Sequence, residues 1–174
     1  MLSRTQFRKA FPVTPITLNF SVRRAAPSDA ARMTAIWLEA AEAFVKADTR
    51  VRLAEDPAAL WQAALETWFT RADMALFVAV DETETVIAYI IGECVPNAPA
   101  FLPQRYGIVR DLAVDYHAKS GRLGRELLAA LRAWFAEEGI TQLEVRVPYR
   151  HPVAQAFWRA LGARKTADQL WLKV

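Results

Sequence analysis

The seven residues Lys119-Ser120-Gly121-Arg122-Leu123-Gly124-Arg125 have the make-up of an anion-binding turn. The first amides of a helix have no partner within it and sit at the positive end of its dipole. A glycine turn leading into that end lets backbone approach a phosphate closely. Gly121 and Gly124 supply the freedom, and Lys119, Arg122 and Arg125 surround it with positive charge. A pyrophosphate is a natural guest. A plain helix cap with solvated basic side chains uses the same residue types, and the turn by itself leaves both readings open. Two commoner phosphate motifs are excluded. Lys119-Ser120 precedes Gly121, so there is no P-loop, and no G-x-G-x-x-G run occurs.

The flanking pattern says what positions this turn. Residues 106–114 read as a strand ending Leu112-Ala113-Val114, and Leu123, Leu127, Leu131, Trp134 and Phe135 mark a long helix that stops at Gly139. Gln142 to Val147 alternates as a strand, so the unit 107–147 implies a parallel pair with a right-handed crossover. Upstream, residues 19–24 form a short strand, and Ser28 or Asp29 is placed to cap a helix over 29–46. Asp56-Pro57 opens a second helix with Leu60, Trp61, Ala64, Leu65, Trp68 and Phe69 on its stripe. Residues 74–80 and 85–93 read as an antiparallel hairpin across the polar turn 81–84. Pro96, Pro99 and Pro103 make a loop. A short helix at 153–161 ends at Gly162, and residues 167–174 read as a last strand. The pattern predicts an α/β (α+β) fold with a mixed sheet and helices on both faces.

With 174 residues the chain suits one domain, residues 19–174, preceded by a basic arm, residues 1–18, that carries Arg4, Arg8 and Lys9. At 53% hydrophobic and 24% charged, the composition excludes a disordered chain. A net charge of +3 suits an anionic ligand but is too small to argue for nucleic acid, and no recognition motif supports one. The single cysteine, Cys94, excludes an internal disulfide and points to a cytoplasmic setting; only two histidines, His117 and His151, argue against zinc. No apolar run reaches the roughly 20 residues of a membrane helix.

Four segments, in order and spacing, resemble the GNAT superfamily of acyl-CoA-dependent N-acetyltransferases. Val22-Arg23-Arg24-Ala25 with Asp29 resembles its opening strand and helix start. Asp111-Leu112-Ala113-Val114 resembles its central strand. Lys119 to Leu128 resembles its Q/R-x-x-G-x-G/A signature, and Ala154 to Ala163 is similar to its A-x-x-F-Y-x-x-x-G-F segment. The resemblance implies a mostly antiparallel sheet of six to seven strands, splayed where acetyl-CoA enters as co-substrate. It implies that amides of Ser120, Gly121, Arg122, Leu123, Gly124 and Arg125, beside Lys119, hold the pyrophosphate. Backbone at Leu112, Ala113 and Val114 would pair with the pantetheine arm, and His151, Ala154, Phe157 and Trp158 would flank the cofactor. An amide near Val114 would polarise the thioester carbonyl. The partner would be an amine acceptor, a small molecule or peptide, and a homodimer is compatible with the family.

The chain departs from that pattern in places. Arg122 stands at the first signature glycine, with Gly121 one place earlier. His151 replaces a frequent asparagine. Trp158 falls where a tyrosine often protonates the leaving thiolate, and an indole N–H is no proton-transfer acid at neutral pH. Tyr149 or a water could take that part. An attacking amine must lose a proton, for which Glu93 and Asp111 are the candidate carboxylates. A structural role as partner to an arginine or a backbone N–H is the alternative for Asp111, and a solvated strand end for Glu93. The departures at Arg122 and Trp158 also leave open a CoA-binding regulatory module without efficient transfer.

Overall fold

The computed structural model describes residues 19–118 and 121–172. The basic arm, and with it Lys119 and Ser120 of the turn, lie outside the described residues. In chain order the elements are β1 (Phe20–Arg24), a 3₁₀ turn (Pro27–Asp29), α1 (Ala30–Ala47), α2 (Pro57–Phe69), β2 (Met74–Asp81), β3 (Val86–Pro96), β4 (Arg105–Val114), a second 3₁₀ turn (Tyr116–Ala118), α3 (Gly121–Glu137), β5 (Leu143–Val145) and α4 (Pro152–Ala160).

The strands form one sheet in the order β1-β2-β3-β4-β5. The first four pair antiparallel, and β4 pairs with β5 in parallel through Gly107–Leu143, Ile108–Glu144 and Val109–Val145. The expected mixed, mostly antiparallel sheet is present, but with five strands among the described residues rather than six to seven. The strand read at 167–174 is not among them: residues 167–172 take no regular structure, and residues 173–174 lie outside the described residues.

Two apolar layers sandwich the sheet. On one face, Leu123, Leu127, Leu128, Leu131 and Phe135 of α3 pack on Ala88, Ile90 and Val109. On the other, Met33, Ile36 and Leu65 of α1 and α2 pack on Tyr89, Ile91 and Ala113. Alternation along β3 explains the split, because successive residues face opposite layers. Each fully buried leucine contributes roughly 1.5–3 kcal/mol. Trp37 stacks on Trp61 with centroids 4.5 Å apart, and Trp68 meets Trp61 edge-on, so this part of the aromatic load ties α1 to α2.

Local signals account for the element ends. Asp56 accepts from the Ala59 amide at 3.1 Å and caps α2. Gly139, at φ +71°, closes α3 in the left-handed region that favours glycine. Asp29 is the exception to expectation. It makes no side-chain cap on α1; its carboxylate instead takes the Ala26 amide at 2.8 Å and both terminal nitrogens of Arg23 at 2.7 and 3.0 Å. The 3₁₀ turn that precedes α1 leaves Asp29 facing back toward β1. The hydrogen bonds from Arg23 hold its carboxyl below the usual range, against the opposing effect of burial.

Candidate active site

Strand β4 sets the geometry. β5 pairs only with residues 107–109, so the half of β4 from Arg110 to Val114 has no strand on that side among the described residues. β5 ends at Val145, and α3 begins beyond the end of β4. The strand-free edge of β4 thus leads, through the turn, into a 17-residue helix. The first turn of α3 contains no acidic residue that would compete for an anion.

A bulge interrupts β4 here. Ile91 opposes Asp111 while Gly92 opposes Val109, so Arg110 is the extra residue. A bulge puts two successive side chains on one face and re-aims them. Asp111 thereby joins Tyr89, its diagonal neighbour on the α1/α2 face, and the Tyr89 hydroxyl donates to Asp111 Oδ2. The Leu112 amide donates to Asp111 Oδ1 at 3.0 Å. Burial pushes the Asp111 carboxyl up, and the two hydrogen bonds only partly offset it. Tyr89 is fully buried, and its pKa is driven well above the ordinary value by burial and by the Asp111 charge.

Glu93 occupies the same face but is fully engaged. It is buried, with Oε1 taking Arg71 Nη2 at 2.6 Å and Oε2 taking Arg110 Nε. Arg71 also grips Asp73 at 2.6 and 2.9 Å. Glu93 is therefore not the solvated strand end that stood as the alternative to a catalytic role, because β3 continues to Pro96 and the bulge swings Arg110 onto it.

The connection from β4 to α3 is anchored by Asp115. Its amide donates to Ile87 O at 2.8 Å, and its carboxylate takes the His117 amide at 2.7 Å, closing an Asx-type turn. Arg32 of α1 reaches across to Asp115 Oδ2 and gives its Nε to Val86 O at 3.1 Å. Burial pushes the Asp115 carboxyl up, but the His117 amide and Arg32 outweigh it and leave it below its usual range.

Within the turn, Gly121 opens α3 and is exposed, with nothing within 4 Å of where a Cβ would stand. Gly124 is buried beneath α4: a Cβ there would lie 3.0 Å from Phe157 Cζ and 3.8 Å from Leu112 Cδ2. The structure so brings Leu112, Gly124 and Phe157 together. Leu123 is fully buried in the core. The Arg122 guanidinium lies over the Phe20 ring at 5.0 Å, and Arg125 is exposed. Ala113 is buried on the α1/α2 face, and Val114 packs on the α3 face.

α4 places the remaining candidates. His151 is its cap, with Nδ1 taking the Ala154 amide at 3.1 Å. Trp158 meets Phe157 edge-on at 5.1 Å and packs against the α3-side core. Tyr149, in the loop before α4, is 89% exposed, whereas Glu93 is buried. Tyr89, Arg32, Arg71, Arg110 and Asp115 were not singled out from sequence. Asp115 had a signal, since Asp opening a turn is a common arrangement. Tyr89 sits inside an apolar run and had none.

The acetyltransferase (GNAT) family model matches residues 34–163 of the chain. No curated protein matches it. Among solved structures, the chain is similar to a tetramutant of the BH1408 protein from Bacillus halodurans, with 22% identity, TM-score 0.79, and coverage of 88% of this chain and 99% of that one. It is also similar to aminoglycoside antibiotic 6'-N-acetyltransferase AAC(6')-Ih from Acinetobacter baumannii, at 13% identity and TM-score 0.71, covering 90% and 98%. A predicted acetyltransferase with acetyl-CoA from Clostridium acetobutylicum shares 13% identity at TM-score 0.71, covering 89% and 96%. At such identities the likeness speaks for the fold. No helix among the described residues is long and apolar enough to cross a membrane.

Proposed function

The chain belongs to the acetyltransferase (GNAT) family, and we propose that it moves an acetyl group from acetyl-CoA to a primary amine of a small molecule or peptide by direct attack in a ternary complex. The observation that carries the reading is the unpaired half of β4 beside the N-terminus of α3. Amides at Gly121 to Arg125, with Lys119 and Ser120 before them, receive the pyrophosphate. Backbone at Leu112, Ala113 and Val114 offers its open edge to the pantetheine arm, and an amide near Val114 donates to the thioester oxygen. A fixed donor at that place stabilises charge that develops only during attack.

Asp111 is the proposed general base. It is the carboxylate on this face not bound by an arginine among the described contacts, and burial raises its proton affinity toward the working range of a base. Glu93 holds Arg71 and Arg110 in place. Tyr149, whose side chain is exposed and whose carbonyl accepts from Gln155 Nε2 at 2.7 Å, is the proposed donor to the departing thiolate. His151, Ala154, Phe157 and Trp158 act through α4: His151 and Ala154 fix its start, and Phe157 seats it on Gly124.

Calorimetric titration with acetyl-CoA, followed by thiol release across a panel of amines, tests the reading. Binding together with amine-dependent thiol release is expected; no heat at millimolar acetyl-CoA would overturn it. The packing of Trp158 into the α3-side core supports a second reading, a CoA-binding regulatory module without efficient transfer. Binding with thiol release no faster than hydrolysis would select it.

A further inference from the structure

Arg110 is the extra residue of the β4 bulge, on the same face as Asp111 and in the half of β4 that has no strand beside it among the described residues. One atom holds it there. Arg110 Nε donates to Glu93 Oε2, Glu93 Oε1 takes Arg71 Nη2 at 2.6 Å, and Arg71 in turn grips Asp73 at 2.6 and 2.9 Å. The two acids are thus matched by two arginines. The terminal nitrogens of Arg110, Nη1 and Nη2, have no partner among the described contacts, and its side chain is 41% exposed. A guanidinium held through Nε keeps its end-on fork, two parallel N–H donors that fit one carboxylate. A bulge gives up ladder pairing to re-aim a side chain. Here the re-aimed side chain is the one with the unused fork.

We propose that this fork binds a carboxylate of the acceptor, so that the amines acetylated are those that carry an acid some bonds away from the nitrogen. The inference rests on the acetyl-transfer reading with Asp111 as base, and it adds the substrate class. The two heads lean apart along β3: Arg110 reaches Glu93, and Asp111 reaches Tyr89, four residues away. At about 3.3 Å per residue, roughly 13 Å separates these points of contact. A hydrogen bond of about 3 Å at each end leaves roughly 7 Å between amine and carboxylate. An α-amino acid, whose two groups share one carbon, is too short for that span. A dipeptide or an ω-amino acid fits it. A guanidinium beside the base also disfavours polycationic acceptors by like-charge repulsion.

Matched acceptors test the proposal: 6-aminohexanoate against 6-aminohexanamide, and glycylglycine against glycylglycinamide, each with acetyl-CoA. The amide keeps the amine and removes the negative charge. The native chain is expected to favour each acid by about tenfold or more in kcat/KM, mainly through KM. In Arg110→Gln the preference should fall to about twofold or less. Arg110→Lys keeps the charge without the fork and carries the test if Arg110→Gln does not fold; a fall of about threefold or more is expected. Amides used as well as the acids, or a preference undiminished in the variants, overturns the proposal and leaves the acetyl-transfer reading standing. If no amine releases thiol, binding decides. Calorimetric titration of 6-acetamidohexanoate and its amide into the native chain with CoA should show the acid preferred, and the preference lost in Arg110→Gln. Such a result without thiol release counts against the transfer reading alone. Equal binding of acid and amide, or no binding of either, overturns the carboxylate site.

Discussion

Gly124 and Phe157 share a space that holds only one side chain. A Cβ at Gly124 would stand 3.0 and 3.2 Å from the Phe157 ring. The second glycine of the turn is thus needed where α4 seats on α3, a different demand from close approach to a phosphate. Gly124→Ala trades a helix-propensity gain of about 1 kcal/mol against an overpacking cost of about 1–3 kcal/mol. A net loss of about 1 kcal/mol is expected by chemical denaturation. Phe157→Leu in the same chain should recover most of it, giving a coupling of at least about 0.5 kcal/mol; strict additivity would contradict the contact. Gly121→Ala meets nothing within 4 Å and should leave stability within about 0.5 kcal/mol. Its effect is expected on acetyl-CoA affinity alone.

The pairing of Tyr89 with Asp111 yields a prediction with a definite sign. Asp111 must be ionised to accept a proton, and burial raises its pKa in the folded chain. The acid limb of the rate profile is therefore expected above the ordinary carboxylate range of about 4. The Tyr89 hydrogen bond favours the ionised form, so Tyr89→Phe should move that limb to still higher pH while kcat on the plateau changes little. Asp111→Asn should lower kcat on the plateau by about 10²–10⁴ and remove the acid limb. By linkage, a group raised on folding costs stability as pH climbs from its unfolded toward its folded value. Asp111→Asn should therefore be at least as stable as the native chain at neutral pH. A large loss of stability with normal turnover would make Asp111 a structural residue.

Glu93 gives the opposite pattern. Its removal leaves Arg71 and Arg110 facing an empty carboxylate site. Their side chains are 37% and 41% exposed, so water screens part of the cost. Glu93→Ala is expected to lose about 1–3 kcal/mol, and Glu93→Gln less, with turnover of the folded fraction within a few-fold of normal. A drop in kcat of a hundredfold at unchanged stability would return Glu93 to the list of bases.

These outcomes bear on what a sequence displays. The helices of this chain were legible because their apolar stripes and caps are local, as at Asp56-Pro57 and Gly139. The glycine turn was legible because its chemistry is written in adjacent residues. Asp111 could be named but not understood, because its partner Tyr89 lies 22 residues away and is brought into place by a bulge. The ion pairs of Glu93 were hidden for the same reason, since Arg110 reaches it where the register slips. The strand read at 167–174 shows a further gap. Alternation says that a segment can pair, but the choice of partner is a matter of distant chain.

Arg32 and Asp115 provide the last prediction, because they join α1 to the start of the turn. Asp115 is buried, and its carboxylate holds both the His117 amide and the Arg32 guanidinium. Asp115→Ala releases the amide and leaves Arg32 half-served, which should cost about 1–3 kcal/mol. Because the turn that follows would lose its anchor, KM for acetyl-CoA is expected to rise by about tenfold, with kcat falling less. Asp115→Asn keeps an acceptor for His117 and should restore most of the affinity but not the ion pair. The pH dependence has the sign of a depressed carboxyl. The stabilisation from Asp115 is present above its unfolded pKa of about 4 and is lost as pH falls through the lower folded value. The native chain and Asp115→Asn should therefore differ in melting temperature at neutral pH and converge in acid. Curves that stay parallel down to acid would show that Asp115 carries no ionic stabilisation of the turn.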